Sequence, residues 1–101
     1  MVTSPAPVYL LAGKEDLLKE EFLSKLRTAL FANTDQGLNS QHFDAALSGF
    51  GPALEFLQTA PFLAEHRLAI LKNIDELEEE GRESVLRYAV SPSPTGVLVL
   101  V

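Results

Sequence analysis

The 101-residue sequence contains no cysteine. Disulfides, thiolate chemistry and zinc–thiolate sites are therefore excluded for this stretch, and a reducing cytoplasm is compatible with it. No apolar run approaches about 18 residues, so nothing reads as a membrane-spanning helix. Met1 to Pro7 lacks the basic-then-apolar order of a secretory signal. Basic residues are few. Eight Lys and Arg face fourteen Asp and Glu, and the formal net charge of −6 repels phosphates, which argues against broad electrostatic binding to DNA or RNA. Internal repeats and low-complexity tracts are also missing. What remains is 47% apolar and 22% charged, the balance of an ordinary globular chain large enough to build a core.

The apolar pattern changes period along the chain. Residues 1–7, with Pro5 and Pro7, read as an extended lead-in, and residues 8–101 as the folded part. Val8 to Ala12 is a short apolar run ending at Gly13, expected to be a strand buried on both faces. Leu18, Phe22, Leu26 and Leu30, with Leu23 beside them, mark an amphipathic helix from Asp16 to about Phe31. Asn33 to Ser40 reads as a loop, and Gln41 to Ala46 as a weak strand around Phe43. After Gly49 and Gly51, Pro52 suits the first turn of a helix that Pro61 should end. Arg67 to Ile74 holds a second buried-strand signal. Asp75 is placed to cap a following acidic helix that passes Val85, Leu86 and Tyr88. A turn-rich loop from Ser91 to Gly96 leads to Val97–Val101, the clearest strand of all.

Strands thus alternate with helices four times, and each crossover is long enough to join parallel strands. The expectation is an α/β fold, a mostly parallel sheet of about four strands with helices on both faces. A last strand this apolar, flush with the chain end, is expected of the N-terminal piece of something longer. The alternative is a small complete domain.

The chemistry of a P-loop is sought after the first strand. It needs a second glycine to wrap phosphate, a lysine to neutralise it and a hydroxyl to hold magnesium. Gly13 and Lys19 have the spacing, but Leu18 replaces the glycine and Glu20 the hydroxyl. Glu15 and Asp16 add negative charge. A plain turn leading into a charged helical start explains this better, because acidic residues complement a helix N-terminus. The acidic residues that would follow the Leu68 strand are replaced by Lys72 and Asn73. The run Asp75, Glu76, Glu78, Glu79, Glu80 has no calcium-loop spacing and reads as a solvated helical face, not a metal site. His42 and His66 stand alone. Thr59 to Arg67 is different. A proline is followed by two large apolar residues, Phe62 and Leu63, which either fold back onto the core or plug a partner's pocket.

Several segments follow one family's order and spacing. They are Pro7-Val8-Tyr9-Leu10-Leu11-Ala12-Gly13-Lys14-Glu15, Phe43-Asp44, Pro61-Phe62-Leu63-Ala64-Glu65-His66-Arg67-Leu68, Lys72-Asn73-Ile74-Asp75-Glu76-Leu77 and Pro94-Thr95-Gly96-Val97-Leu98-Val99-Leu100. From about residue 7 onward the chain resembles the N-terminal domain of the bacterial DNA polymerase III delta subunit, a clamp-loader component. No single piece is diagnostic, but the ordered set is fairly specific.

The resemblance implies a P-loop NTPase domain of the AAA+ type with a degenerate nucleotide site, agreeing with the separate reading of Leu18, Glu20, Lys72 and Asn73. It implies a non-enzymatic cytoplasmic domain with no cofactor and no metal, which binds and helps open the sliding clamp, the beta subunit. It also implies contact with other loader subunits through later domains that this chain lacks. In the family the clamp contact is an apolar pair, commonly Leu-Phe, just after the proline. Carried over, it falls on Pro61, Phe62 and Leu63, with the order of the pair reversed and Ala64 where glycine is common. The rival is a P-loop-type nucleotide-binding or ATPase domain. A third reading, a phosphate-accepting receiver domain, wants an aspartate where Lys72 stands.

Overall fold

The computed structural model describes residues 5–13, 15–31 and 37–101. Met1–Ser4, Lys14 and residues 32–36 lie outside the described residues, and with them part of the expected lead-in, P-loop frame and loop.

Two apolar stretches build the centre. Strand β3 (Arg67–Lys72) and strand β4 (Gly96–Leu100) are buried along most of their length. They pair in parallel, Leu68 opposite Val97 and Ile70 opposite Val99. Strand β1 (Val8–Leu10) adds beside β4, and strand β2 (Ser40–Asp44) beside β3. The sheet is therefore all-parallel in the order β1-β4-β3-β2, as the alternation of strands and helices predicts.

Successive side chains on β3 and β4 point to opposite faces, and each face meets its own helices. Leu68, Ile70, Val97 and Val99 pack with Leu23, Leu26 and Phe31 of helix α1 (Asp16–Phe31). Ala69, Leu71 and Leu98 pack with Ala53 and Leu57 of helix α3 (Gly51–Gln58), and with Val85 and Tyr88 of helix α4 (Glu79–Val90). Phe50 and Tyr88 meet edge-on, 6.1 Å between ring centres. Gly96 lets Tyr88 and Leu57 approach β4 closely. A Cβ there would sit 2.9 Å from the Tyr88 hydroxyl and 3.0 Å from a Leu57 methyl. The carboxylate of Asp44 accepts from the Ala46 N–H and so caps a single helical turn, α2 (Ala45–Ser48).

Four expectations need correction. β1 is shorter than expected and is an edge strand, not one buried on both faces; Leu10 is 63% exposed. Leu18 does not join the apolar stripe of α1 but is 60% exposed, because the sheet contact is made by the later turns around Leu23 and Leu26. Asp75 caps no α-helix. It lies in a 3-10 turn (Ile74–Glu76), and α4 begins only at Glu79, after Glu78. Ala45 and Ala46 belong to α2 rather than to the second strand.

Candidate functional site

Helix α3 stops at Gln58, Thr59 turns the chain into an extended conformation, and Ala60 and Pro61 follow before β3 begins at Arg67. On this connection Phe62 is 56% exposed and Leu63 80% exposed. Leu63 also has a φ of +55°, a left-handed conformation that disfavours a side chain with bulk at Cβ. The fold thus leaves both large side chains in solvent rather than turning them onto the core.

Two side chains hold the connection from below. Asn39, only 1% exposed, donates from Nδ2 to the Phe62 carbonyl at 2.7 Å and accepts from the Phe62 N–H at 2.8 Å. Its own carbonyl accepts from the Leu68 N–H at 2.7 Å. Arg67 donates from Nε to the Ala60 carbonyl at 3.2 Å, while its guanidinium stacks 4.4 Å from the centre of the Phe56 ring. The sequence offers Asn39 only as one more polar residue of a loop. Nothing local distinguishes it, since its partner stands 23 positions away.

The residues compared above with a nucleotide-binding frame lie at the other end of the sheet. All strands are parallel, so Gly13 follows the C-terminal end of β1, and Lys72 and Asn73 stand at that of β3. β3 itself separates this edge from the Phe62 connection, roughly 17 Å for a strand of that length. Gly13 is exposed with a φ of +100°. Leu18, Lys19 and Glu20 already lie inside α1, which starts at Asp16, and the Lys19 N–H bonds to the Glu15 carbonyl. Among the described residues, no three His, Asp or Glu side chains form a group that could hold a metal ion. Titration with ATP and magnesium is expected to give neither saturable binding at millimolar nucleotide nor turnover, because the wrapping glycine and the magnesium hydroxyl are replaced by Leu18 and Glu20. Hydrolysis that Lys19→Ala abolishes would overturn this.

Lys72 and Asn73 turn instead to Asp44. Asn73, in a left-handed conformation that asparagine tolerates, donates to the Asp44 carboxylate at 2.9 Å. The Lys72 ammonium lies 4.0 Å away. The Asn73 hydrogen bond, helped by the Ala46 N–H and by Lys72 and opposed by burial, holds the Asp44 carboxyl below its ordinary value. A lowered folded-state pKa means that the stabilisation is complete above the unfolded value of about 3.9 and is lost as pH falls through the lowered one. An NMR titration of the Asp44 carboxyl carbon should therefore show a depressed midpoint that Asn73→Ala raises. An unmoved midpoint would remove Asn73 as the cause.

Comparison with known proteins gives consistent matches. The family model for the DNA polymerase III delta subunit covers residues 9–101. DNA polymerase III subunit delta of Bacillus subtilis is 32% identical over 103 aligned positions, taking in 94% of this chain and 30% of that protein. The solved structure of the Bacillus subtilis DNA clamp loader delta protein superposes with a TM-score of 0.82 at 32% identity, over 93% of this chain and 30% of that one. A DNA polymerase III gamma subunit-related protein from Thermotoga maritima shares the fold, with a TM-score of 0.76 at 16% identity, over 97% of this chain and 35% of that one. The chain thus spans about a third of the length of these relatives, and its α/β sheet is of the AAA+-like type expected. With the family model matching from Tyr9 onward, the chain belongs to the DNA polymerase III delta subunit family.

Proposed function

We propose that this chain is a non-catalytic clamp-loader domain that binds the replicative sliding clamp and helps to open it, with Phe62 and Leu63 as the apolar plug and Pro61 setting their exit from α3. The observation that carries this reading is Leu63. It bears two costs at once, a left-handed backbone and an apolar side chain 80% exposed. Burial in a partner's pocket would use the exposed surface. Family membership supports the sliding clamp as the partner, with other loader subunits as further partners, in the bacterial cytoplasm. The reading as an ATPase domain is disfavoured by Leu18 and Glu20, and by Lys72 and Asn73, which are engaged with Asp44. The acidic net charge of −6 disfavours DNA as a direct ligand of this domain.

The test is a calorimetric titration of the chain against its cognate sliding clamp. Saturable one-to-one binding, competed by a peptide spanning residues 59–67, is the expected result. Absence of binding, or binding untouched by the peptide, would overturn the assignment.

A further inference from the structure

We infer that Asn39 is a positioning residue for the clamp contact, fixing the Phe62–Leu63 connection in its binding shape before the partner arrives. This rests on the clamp-binding reading above. Asn39 does not reach the exposed surface. Its amide grips both polar groups of Phe62, the N–H at 2.8 Å and the carbonyl at 2.7 Å, from a position 1% exposed in the turn just before β2. That two-point hold fixes the peptide units on both sides of Phe62. The second of them is the peptide that leads into Leu63, whose φ is +55°.

A left-handed leucine persists only where its surroundings over-determine it. Here the fixing groups are the Asn39 amide on one side and β3 on the other. The Arg67 Nε bond to the Ala60 carbonyl anchors the front of the same connection. Asn39 is itself tied to the sheet through its carbonyl and the Leu68 N–H. The connection is thus referenced to β2 and β3 rather than left to sample many shapes. A binding segment that is already ordered loses less entropy on association. Asn39 therefore contributes affinity without touching the partner.

The inference is tested by measuring the affinity of the chain for its cognate sliding clamp with Asn39→Ala and Asn39→Asp, each in the natural and in a Leu63→Ala background. Asn39→Asp keeps the size and the acceptor for the Phe62 N–H but sets an oxygen against the Phe62 carbonyl. Both variants are expected to bind about tenfold more weakly in the natural background. With Leu63→Ala the added loss should shrink to about threefold, because one of the two positioned side chains is already gone and Phe62 alone remains to be held. An equal loss in both backgrounds would show that Asn39 acts only on the fold, and would overturn the inference. Should both variants fail to fold, hydrogen exchange of the natural free chain decides. Slow exchange at the Phe62 N–H is expected, and exchange at the rate of an open loop overturns it. If Phe62→Ala/Leu63→Ala retains full affinity, the clamp-contact reading falls and this inference with it. If that variant loses affinity while the folded Asn39 variants keep theirs, only the positioning role falls.

Discussion

Alanine at both Phe62 and Leu63 is expected to weaken clamp binding by about 30- to 1,000-fold while leaving the thermal midpoint nearly unchanged. Full burial of one large apolar side chain contributes roughly 1.5–3 kcal/mol. Phe62 and Leu63 start 56% and 80% exposed, so most of their surface is still available to a partner. Taken together they supply about 2–4 kcal/mol, and each 1.4 kcal/mol is tenfold in affinity. The opposite pattern belongs to a core role: lost stability with binding reduced only through unfolding. Calorimetry and a thermal melt on the same double variant separate the two. Normal binding by that variant would end the plug assignment. The left-handed φ of Leu63 adds a detail. Leu63→Gly should relieve backbone strain while removing the side chain, so it should melt no lower than Leu63→Ala and bind equally weakly.

The legibility of these features in the sequence follows the range of the interactions that create them. β3 and β4 were visible because Leu68-Ala69-Ile70-Leu71 and Val97-Leu98-Val99-Leu100 are apolar without interruption, and the sheet buries both of their faces. The middle of α1 was visible from its spacing. Its first turn was not, because Leu18 fits the apolar period while the sheet does not extend beneath it. β1 has the composition of a buried strand, yet strand order, which no local pattern carries, leaves it on an edge. Asp75 looks like a cap, but a 3-10 turn intervenes before α4. At the candidate site, Pro61, Phe62 and Leu63 could be picked out as an apolar interruption in a polar connection. Asn39 could not, since only the folded register of β2 against β3 brings it under Phe62.

Leu98→Ala is expected to have the largest effect on stability. Leu98 is fully buried in β4, the strand that pairs with β1 on one side and β3 on the other. In register it lies opposite both Val8 and Ala69, and its side chain packs in the cluster with Leu57, Leu71, Val85 and Tyr88. A central strand cannot shift to fill a cavity without breaking ladders on both sides, so relaxation is limited. Removing the leucine should cost about 2–5 kcal/mol. Domains of this size hold only about 5–15 kcal/mol in total. At about 4–8 °C per kcal/mol, the thermal midpoint should fall by roughly 8–40 °C. Circular dichroism on heating checks this, with exposed Leu86→Ala as the reference substitution. A fall of only a few degrees for Leu98→Ala would mean that the site collapses more readily than a doubly paired strand allows.

The strand order also sets a timetable. β2 and β3 are made before β4 and can pair as soon as both exist, with α3 between them. β1 precedes them in the chain but, among the described residues, pairs only with β4, so Val8 waits for Leu98, about ninety residues later, a separation that slows folding through loop-closure entropy. On the ribosome, the earliest segment of this chain is therefore among the last to find its place. Throughout that interval Val8-Tyr9-Leu10 is an apolar strand with both edges open, the kind of segment that chaperones shield during synthesis.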